Sequence, residues 1–244
     1  MLEHTITTIL FDLDGTLLPM DQEEFTNAYF ALLATKAAPY GYEAKELGAA
    51  VWQGTKAMVK NDGTAKNCDR FWQTFAGVLG ENVLNLRPVF DQFYENEFHG
   101  AKSATGENPL AKRAVDGLRG KGYDVILATN PIFPAVGVRT RLSWVGLAPE
   151  DFSEVTAYEE YSSCKPNPAY FGEILKRTGK RPEECLMVGN DVEEDTAAAR
   201  LGVGVYLITD CLINPKGRDL SETPHGSFQE FLDFAGLEGS GAGA

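Results

Sequence analysis

Asp12 and Asp14 carry the first chemical signal in the chain: two carboxylates, one leucine apart, at the end of an apolar run. On an extended segment side chains two apart share a face, so both acids can address one reacting group while Leu13 points away. Paired acids of this kind suit nucleophilic attack by one carboxylate and proton transfer by the other. A DxDG tetrapeptide also reads as a strand ending in a solvated turn, and alone it decides nothing. Three later clusters have the same placement after apolar runs: Thr129 with Asn130, Lys165, and Asp191 with Asp195. Two acids, a hydroxyl, a cation and two further acids describe a site for phosphoryl transfer. Asp12 and Asp191 are hard oxygen ligands suited to Mg2+. Singly, each cluster has a plainer reading: Thr129 and Asn130 as turn formers, Lys165 as a surface lysine, Asp195 as a favourable charge in a first helical turn.

The elements that would position these residues follow from the hydrophobic pattern. A β-branched, apolar strand is predicted over 5–11, with Gly15 turning the chain out of it. Further strands are expected over 123–128, 155–158, 185–188 and 203–208. Between them lie a helix opened by Asn108 and Pro109, a second from Pro168 to about residue 177, and a third carrying Asp195 and three alanines. Such alternation predicts a doubly wound, Rossmann-like α/β fold, a parallel sheet with helices on both faces whose strand ends converge on one crevice. A polar loop over 211–226 and a capping box at Ser227 and Glu230 lead into a final helix. Residues 236–244, rich in glycine, alanine and serine, are expected to be disordered.

Between Thr16 and Asn108 the pattern is helical, with helices over 23–34, 69–79 and 88–98. This gives an inserted helical domain over 18–103 and a core domain from 1–17 and 104–244. The aromatic residues of the insertion recur at three-to-four spacing and are expected to form its core. Lys56, Lys60 and Asn61 near a turn can either reach toward a substrate anion or form a solvated face.

The composition limits the alternatives. With 22 basic and 35 acidic residues the net charge is -13, which opposes a nucleic acid partner. The chain has no apolar run long enough to cross a membrane, and its first residues lack a signal-peptide pattern, so a cytoplasmic location is expected. Four scattered cysteines and three scattered histidines disfavour structural zinc or a disulfide framework. Cys164, beside Lys165, reads either as a thiol of lowered pKa or as a small buried filler.

With those motifs in order, the chain resembles the haloacid dehalogenase superfamily, in its phosphatase branch with a helical cap. The matching stretches are DLDGT from Asp12, ATNP at Thr129, CKPNP at Lys165 and GNDVEED at Asp191 and Asp195. The resemblance implies a Mg2+-dependent phosphomonoester hydrolase acting on a small phosphorylated metabolite. It makes Asp12 the nucleophile that forms an aspartyl-phosphate and Asp14 the general acid and base. Thr129 and Lys165 would complete the catalytic set, with Gly15, Thr16 and Asn130 joining them on the phosphate. The metal would lie on Asp12, Asp191 and the Asp14 carbonyl, with Asp195 acting through water or by orienting Lys165. An acidic Asp14 disfavours the dehalogenase and phosphonatase branches. A sugar phosphomutase uses the same four motifs, and a phosphate-binding regulator without turnover is the non-enzymatic alternative. Substrate identity and oligomeric state are not encoded in any recognisable motif.

Overall fold

Thr8–Phe11 (β1) is buried along its whole length and lies inside a six-stranded sheet. The computed structural model describes residues 4–237. Beside β1 are Asp124–Leu127 (β2) and Cys185–Gly189 (β4), flanked by Glu154–Val155 (β3), Gly204–Ile208 (β5) and His225–Gly226 (β6). The order is β3-β2-β1-β4-β5-β6 and every pairing is parallel.

Alternation along β1 explains why helices cover both faces. Ile9 and Phe11 pack with Ala111 and Val115 of Pro109–Gly120 (α5) and Phe231 of Phe228–Phe234 (α8). Leu10 packs oppositely, with Ile126, Met187 and residues Tyr170, Phe171 and Ile174 of Pro168–Thr178 (α7). A parallel sheet buried on both faces needs such continuous apolar strands, and this is the doubly wound α/β fold that the sequence pattern predicts.

Several elements differ from expectation. β1 begins at Thr8 rather than residue 5, and β3 is confined to two residues. The Asp195 segment is a 3-10 helix, Asp195–Leu201, and β6 lies within the expected loop. Two helices have no counterpart in the sequence pattern: Ala44–Val59 (α2) and Ala135–Trp144 (α6). Of the expected tail, Gly236 and Leu237 are ordered against the core, where the Leu237 carbonyl accepts a bond from Arg113 Nη2 at 2.8 Å. Residues 238–244 lie outside the described residues, as do 1–3, on which the N-terminal expectation partly rests.

From residue 22 to 104 the regular structure is helical: Gln22–Ala37 (α1), α2, Asn67–Leu79 (α3), Arg87–Glu95 (α4) and three 3-10 segments. Asp21 caps α1 by accepting the N–H groups of Glu23 and Glu24, each at 2.9 Å. The two crossings into and out of this region run side by side, since Gly106 N–H donates to the Pro19 carbonyl at 2.7 Å. Tyr29 of α1 and Tyr94 of α4 share a hydroxyl hydrogen bond of 2.9 Å. Thr140 of α6 donates to the Tyr94 carbonyl and thereby ties the helical layer to the sheet layer. No described helix is long and apolar enough to cross a membrane.

Candidate active site

β1 delivers Asp12 at its carboxyl end, where the Asp12 N–H still donates to Val188 and keeps the residue in register with β4. Leu13 turns into the core, while Asp12 and Asp14 line one cavity. Gly15 adopts φ 85, and a Cβ there would stand 2.2 Å from Asn190 Nδ2, so only glycine fits the turn. Thr16 donates its hydroxyl to Asn190 Oδ1 at 3.1 Å. The N–H groups of Gly15 and Thr16 are taken by the carbonyls of Leu18 and Leu13. Both residues thus shape the turn, with their N–H groups and the Thr16 hydroxyl engaged within the protein. The N–H groups of Leu13 and Asp14, in contrast, find no acceptor among the described residues.

Lys165 is 1% exposed, just before α7, and reaches from behind the cavity. Its Nζ lies 2.9 Å from Asp12 Oδ1 and 2.6 Å from Asp195 Oδ1. Burial works against the ammonium charge, but Asp12 and Asp195 outweigh it and hold its pKa above the ordinary lysine value. Burial likewise pushes Asp12 up to about 7, with Lys165 opposing the rise and Asp195 and Asp14 adding to it. Asp195 Oδ2 accepts the Asp191 N–H at 2.9 Å, and a Cβ on Gly189 would collide with this carboxylate. Both Asp195 oxygens are thus engaged, one by Lys165 and one by the Asp191 N–H. Thr129 is fixed through its carbonyl, which accepts hydroxyls from Thr156 and Tyr170 at 2.6 and 2.8 Å. Cys164 is a buried filler, and burial pushes its thiol up, not down.

Two charged groups at the site go beyond the residues that the sequence singles out, Arg141 outside the four motifs and Glu194 within the fourth. Arg141 of α6 is fully buried, stacks over the Phe133 ring at 4.2 Å, and pairs through Nη1 with Asp14 Oδ2. Asp14 Oδ1 is buried with no partner among the described residues. Glu194 receives both 3.0 Å bonds from Asn130 Nδ2, so the Asn130 amide hydrogens face a carboxylate. Burial raises Glu194 to about 8, against Lys165, with Asp195, Asp191 and Asp12 reinforcing the shift.

These groups meet at one end of a cavity of about 350 Å3. Asp12, Asp14, Thr129, Asn130, Asp191 and Asp195 all contribute to its lining, as does Glu194. Much of the remaining wall comes from aromatic residues of α1, α3 and α4, joined by residues of α2 and by Ile132, Phe133, Tyr158 and Ile213, so side chains expected only as helical core also border the site. Lys56 and Lys60 are exposed and do not line this cavity, while Asn61 is buried on the Ala65 carbonyl and Asn67 Oδ1, which leaves their anion-binding reading without support.

Among the described residues no three His, Cys, Asp or Glu side chains stand together as a metal cage. Asp191 Oδ1 accepts the N–H groups of Glu193 and Glu194, leaving Oδ2 unpartnered among the described residues, as is Asp12 Oδ2. Two open carboxylate oxygens are a hard and incomplete donor set. Mg2+ suits such a set because it keeps waters and takes few protein ligands.

The sequence profile of the haloacid dehalogenase-like hydrolases matches residues 6–202. The chain belongs to that family. Among curated relatives of this hydrolase, a ribulose-1,5-bisphosphate 5-phosphatase of Halopiger xanaduensis is 29% identical over 200 residues, covering 79% of this chain and 80% of the relative. A phosphoglycolate phosphatase of Vibrio vulnificus is 27% identical over 210 residues, with 86% of each chain covered. The fold is shared with the crystal structure of a HAD phosphatase from Thermococcus onnurineus, at a TM-score of 0.60 and 20% identity, covering 96% of this chain and 99% of that one.

Proposed function

We propose that this hydrolase is a Mg2+-dependent phosphomonoesterase that works through an aspartyl-phosphate on Asp12. The observation that carries the reading is the Asp12 carboxylate, held on one oxygen by Lys165 and open on the other at the acidic end of the cavity. The phosphatase names of the curated relatives support it.

In the first step the Asp12 carboxylate attacks phosphorus while the ester oxygen departs with a proton from Asp14. In the second step water gives a proton to Asp14 as it attacks the acyl phosphate, releasing inorganic phosphate and restoring Asp12. Lys165, the Thr129 hydroxyl and the free N–H groups of Leu13 and Asp14 hold the phosphoryl oxygens. Asp195 positions Lys165 and keeps it charged. Asp12, Asp191 and the Asp14 carbonyl would hold Mg2+, which supplies positive charge against the phosphoryl oxygens. Helices α1–α4, as a domain over 18–103, cover the site and exclude bulk water during transfer.

Purified protein should release phosphate from an aryl phosphate in the presence of Mg2+ and stop when the metal is chelated. Asp12→Asn should lower kcat by about 10^3-fold or more while the protein stays folded by circular dichroism. Full activity in that variant would remove Asp12 as the nucleophile.

A further inference from the structure

The substrate's leaving group must fit what surrounds the acidic end of the cavity. Apart from the acidic residues, the lining includes Phe25 and Tyr29 of α1, Phe71 and Phe75 of α3, and Phe90 and Tyr94 of α4, which form an apolar wall. Its rings are fixed by one another: Phe71 stacks on Phe75 with centroids 5.2 Å apart, and Phe75 meets Phe90 edge-on at 5.8 Å. Leu33, Val51 and Ile132 fill the spaces between them. At the rim Trp52, 57% exposed, leans on Phe30 at 5.6 Å and extends the same apolar surface toward solvent. The polar side chains along the wall are Gln22, Thr26, Thr55 and one carboxylate, Asp91 of α4.

The charges are equally informative. Among the described residues no lysine, arginine or histidine lines the cavity; its charged lining residues are Asp12, Asp14, Asp91, Asp191, Glu194 and Asp195. The two cations behind it, Lys165 and Arg141, are already held by Asp12 with Asp195 and by Asp14. One phosphoryl group can be neutralised at the Asp12 end, where Lys165 and the proposed metal act. A second anion on the same substrate would face aromatic rings or a further carboxylate, and an unpaired charge in such surroundings is strongly disfavoured.

We infer that this enzyme's substrate is a phosphate monoester whose leaving group is uncharged and predominantly apolar, of the size of an arylalkyl alcohol, with no second anionic group. The inference rests on the phosphatase reading and deepens it. Apolar rings seated against the α1, α3 and α4 wall supply binding energy by leaving water, as is usual for largely apolar pockets with few polar groups. On this basis specificity differs from that suggested by the names of the curated relatives, whose substrates carry a carboxylate or a second phosphate.

The test compares esters of primary alcohols, so that leaving-group chemistry contributes little: 2-phenylethyl phosphate, 2-phosphoglycolate and phosphocholine, each assayed with Mg2+ for released phosphate. The expected kcat/KM for 2-phenylethyl phosphate is at least about tenfold above both others, a factor equivalent to about 1.4 kcal/mol, and carried mainly by KM. Thr55→Lys places a cation on the wall and should shift the ratio of phenylethyl to phosphoglycolate activity toward phosphoglycolate by about tenfold. Equal or higher kcat/KM for 2-phosphoglycolate or phosphocholine overturns the substrate class and leaves the phosphatase intact. An unmoved ratio in Thr55→Lys overturns the role of the wall. Release from none of the esters overturns the phosphatase reading itself, and this inference with it.

Discussion

Arg141 shows how one side chain outside the four motifs can govern the site. It is buried, its Nη2 has no partner among the described residues, and its ionic contact is Asp14. A guanidinium so placed holds the Asp14 carboxylate in one orientation, a positional effect on proton transfer rather than on substrate affinity. Arg141→Gln should therefore lower kcat by about 10^2-fold with KM changed far less. Steady-state kinetics beside a thermal melt checks this; a folded variant with a raised KM and unchanged kcat would place Arg141 in binding instead. Glu194 illustrates a different difficulty. Three adjacent acids end the fourth motif, and the fold sends them to three destinations: Glu193 to Lys216 and Arg218, Glu194 to Asn130, Asp195 to Lys165. No periodicity in the sequence sorts them, because Glu193 and Glu194 lie in an irregular turn and only Asp195 starts the 3-10 helix.

The elements that carry the motifs depend on a few polar anchors, of which Asn108 is one. Its Oδ1 caps α5 through the Leu110 N–H at 3.1 Å, and its Nδ2 donates to the Leu17 carbonyl at 3.1 Å. The same residue thus fixes a core helix and the turn that follows Asp14. Asn108→Ala should lower stability by about 1–2 kcal/mol in urea denaturation, the loss of a cap and of one further buried contact. An effect of only a few tenths would mean that water replaces both bonds. Asn108 is legible as a cap because asparagine followed by proline combines a side-chain acceptor with a first helical residue that needs no N–H partner. β1, β2, β4 and β5 are legible because they are apolar, buried and bounded by turn residues. α6 is not. Gly137, Val138, Thr140, Arg141, Leu142 and Trp144 are all buried, so polar and apolar residues alternate around the helix and no stripe marks it. In α3 and α4 the aromatic spacing gives the helices, yet spacing alone does not distinguish a ring packed wholly in a core from one that also borders a cavity. Phe93 and Phe98 are fully buried and outside the cavity lining, whereas Phe75, Phe90 and Tyr94 have one side on it.

The acidic balance of the whole molecule becomes concentrated at the site, and it makes stability depend on pH in a definite direction. Burial lifts Asp12 to about 7 and Glu194 to about 8, and it raises Asp191 against two backbone N–H bonds. Each group binds a proton in the folded state over a range where the unfolded chain has released it. The folded state therefore holds more protons, and unfolding free energy falls as pH rises from the ordinary carboxylate range to about 8. Lys165 does not reverse this, because its raised pKa changes the balance only above the ordinary lysine range. Metal-free protein should accordingly be more stable at pH 5.5 than at pH 8 by on the order of 1 kcal/mol, once the partial exposure of Glu194 is allowed for. Glu194→Gln should shrink that difference. Added Mg2+ should raise the melting temperature more at pH 8 than at pH 5.5, because its ligands must be ionised before they bind it. Urea titrations of both proteins at the two pH values, with chelator and with Mg2+, decide the matter. Stability that climbs between pH 5.5 and 8 in the metal-free protein would show that the carboxylates ionise without strain, and that the acidic end of the cavity is better solvated than its burial implies.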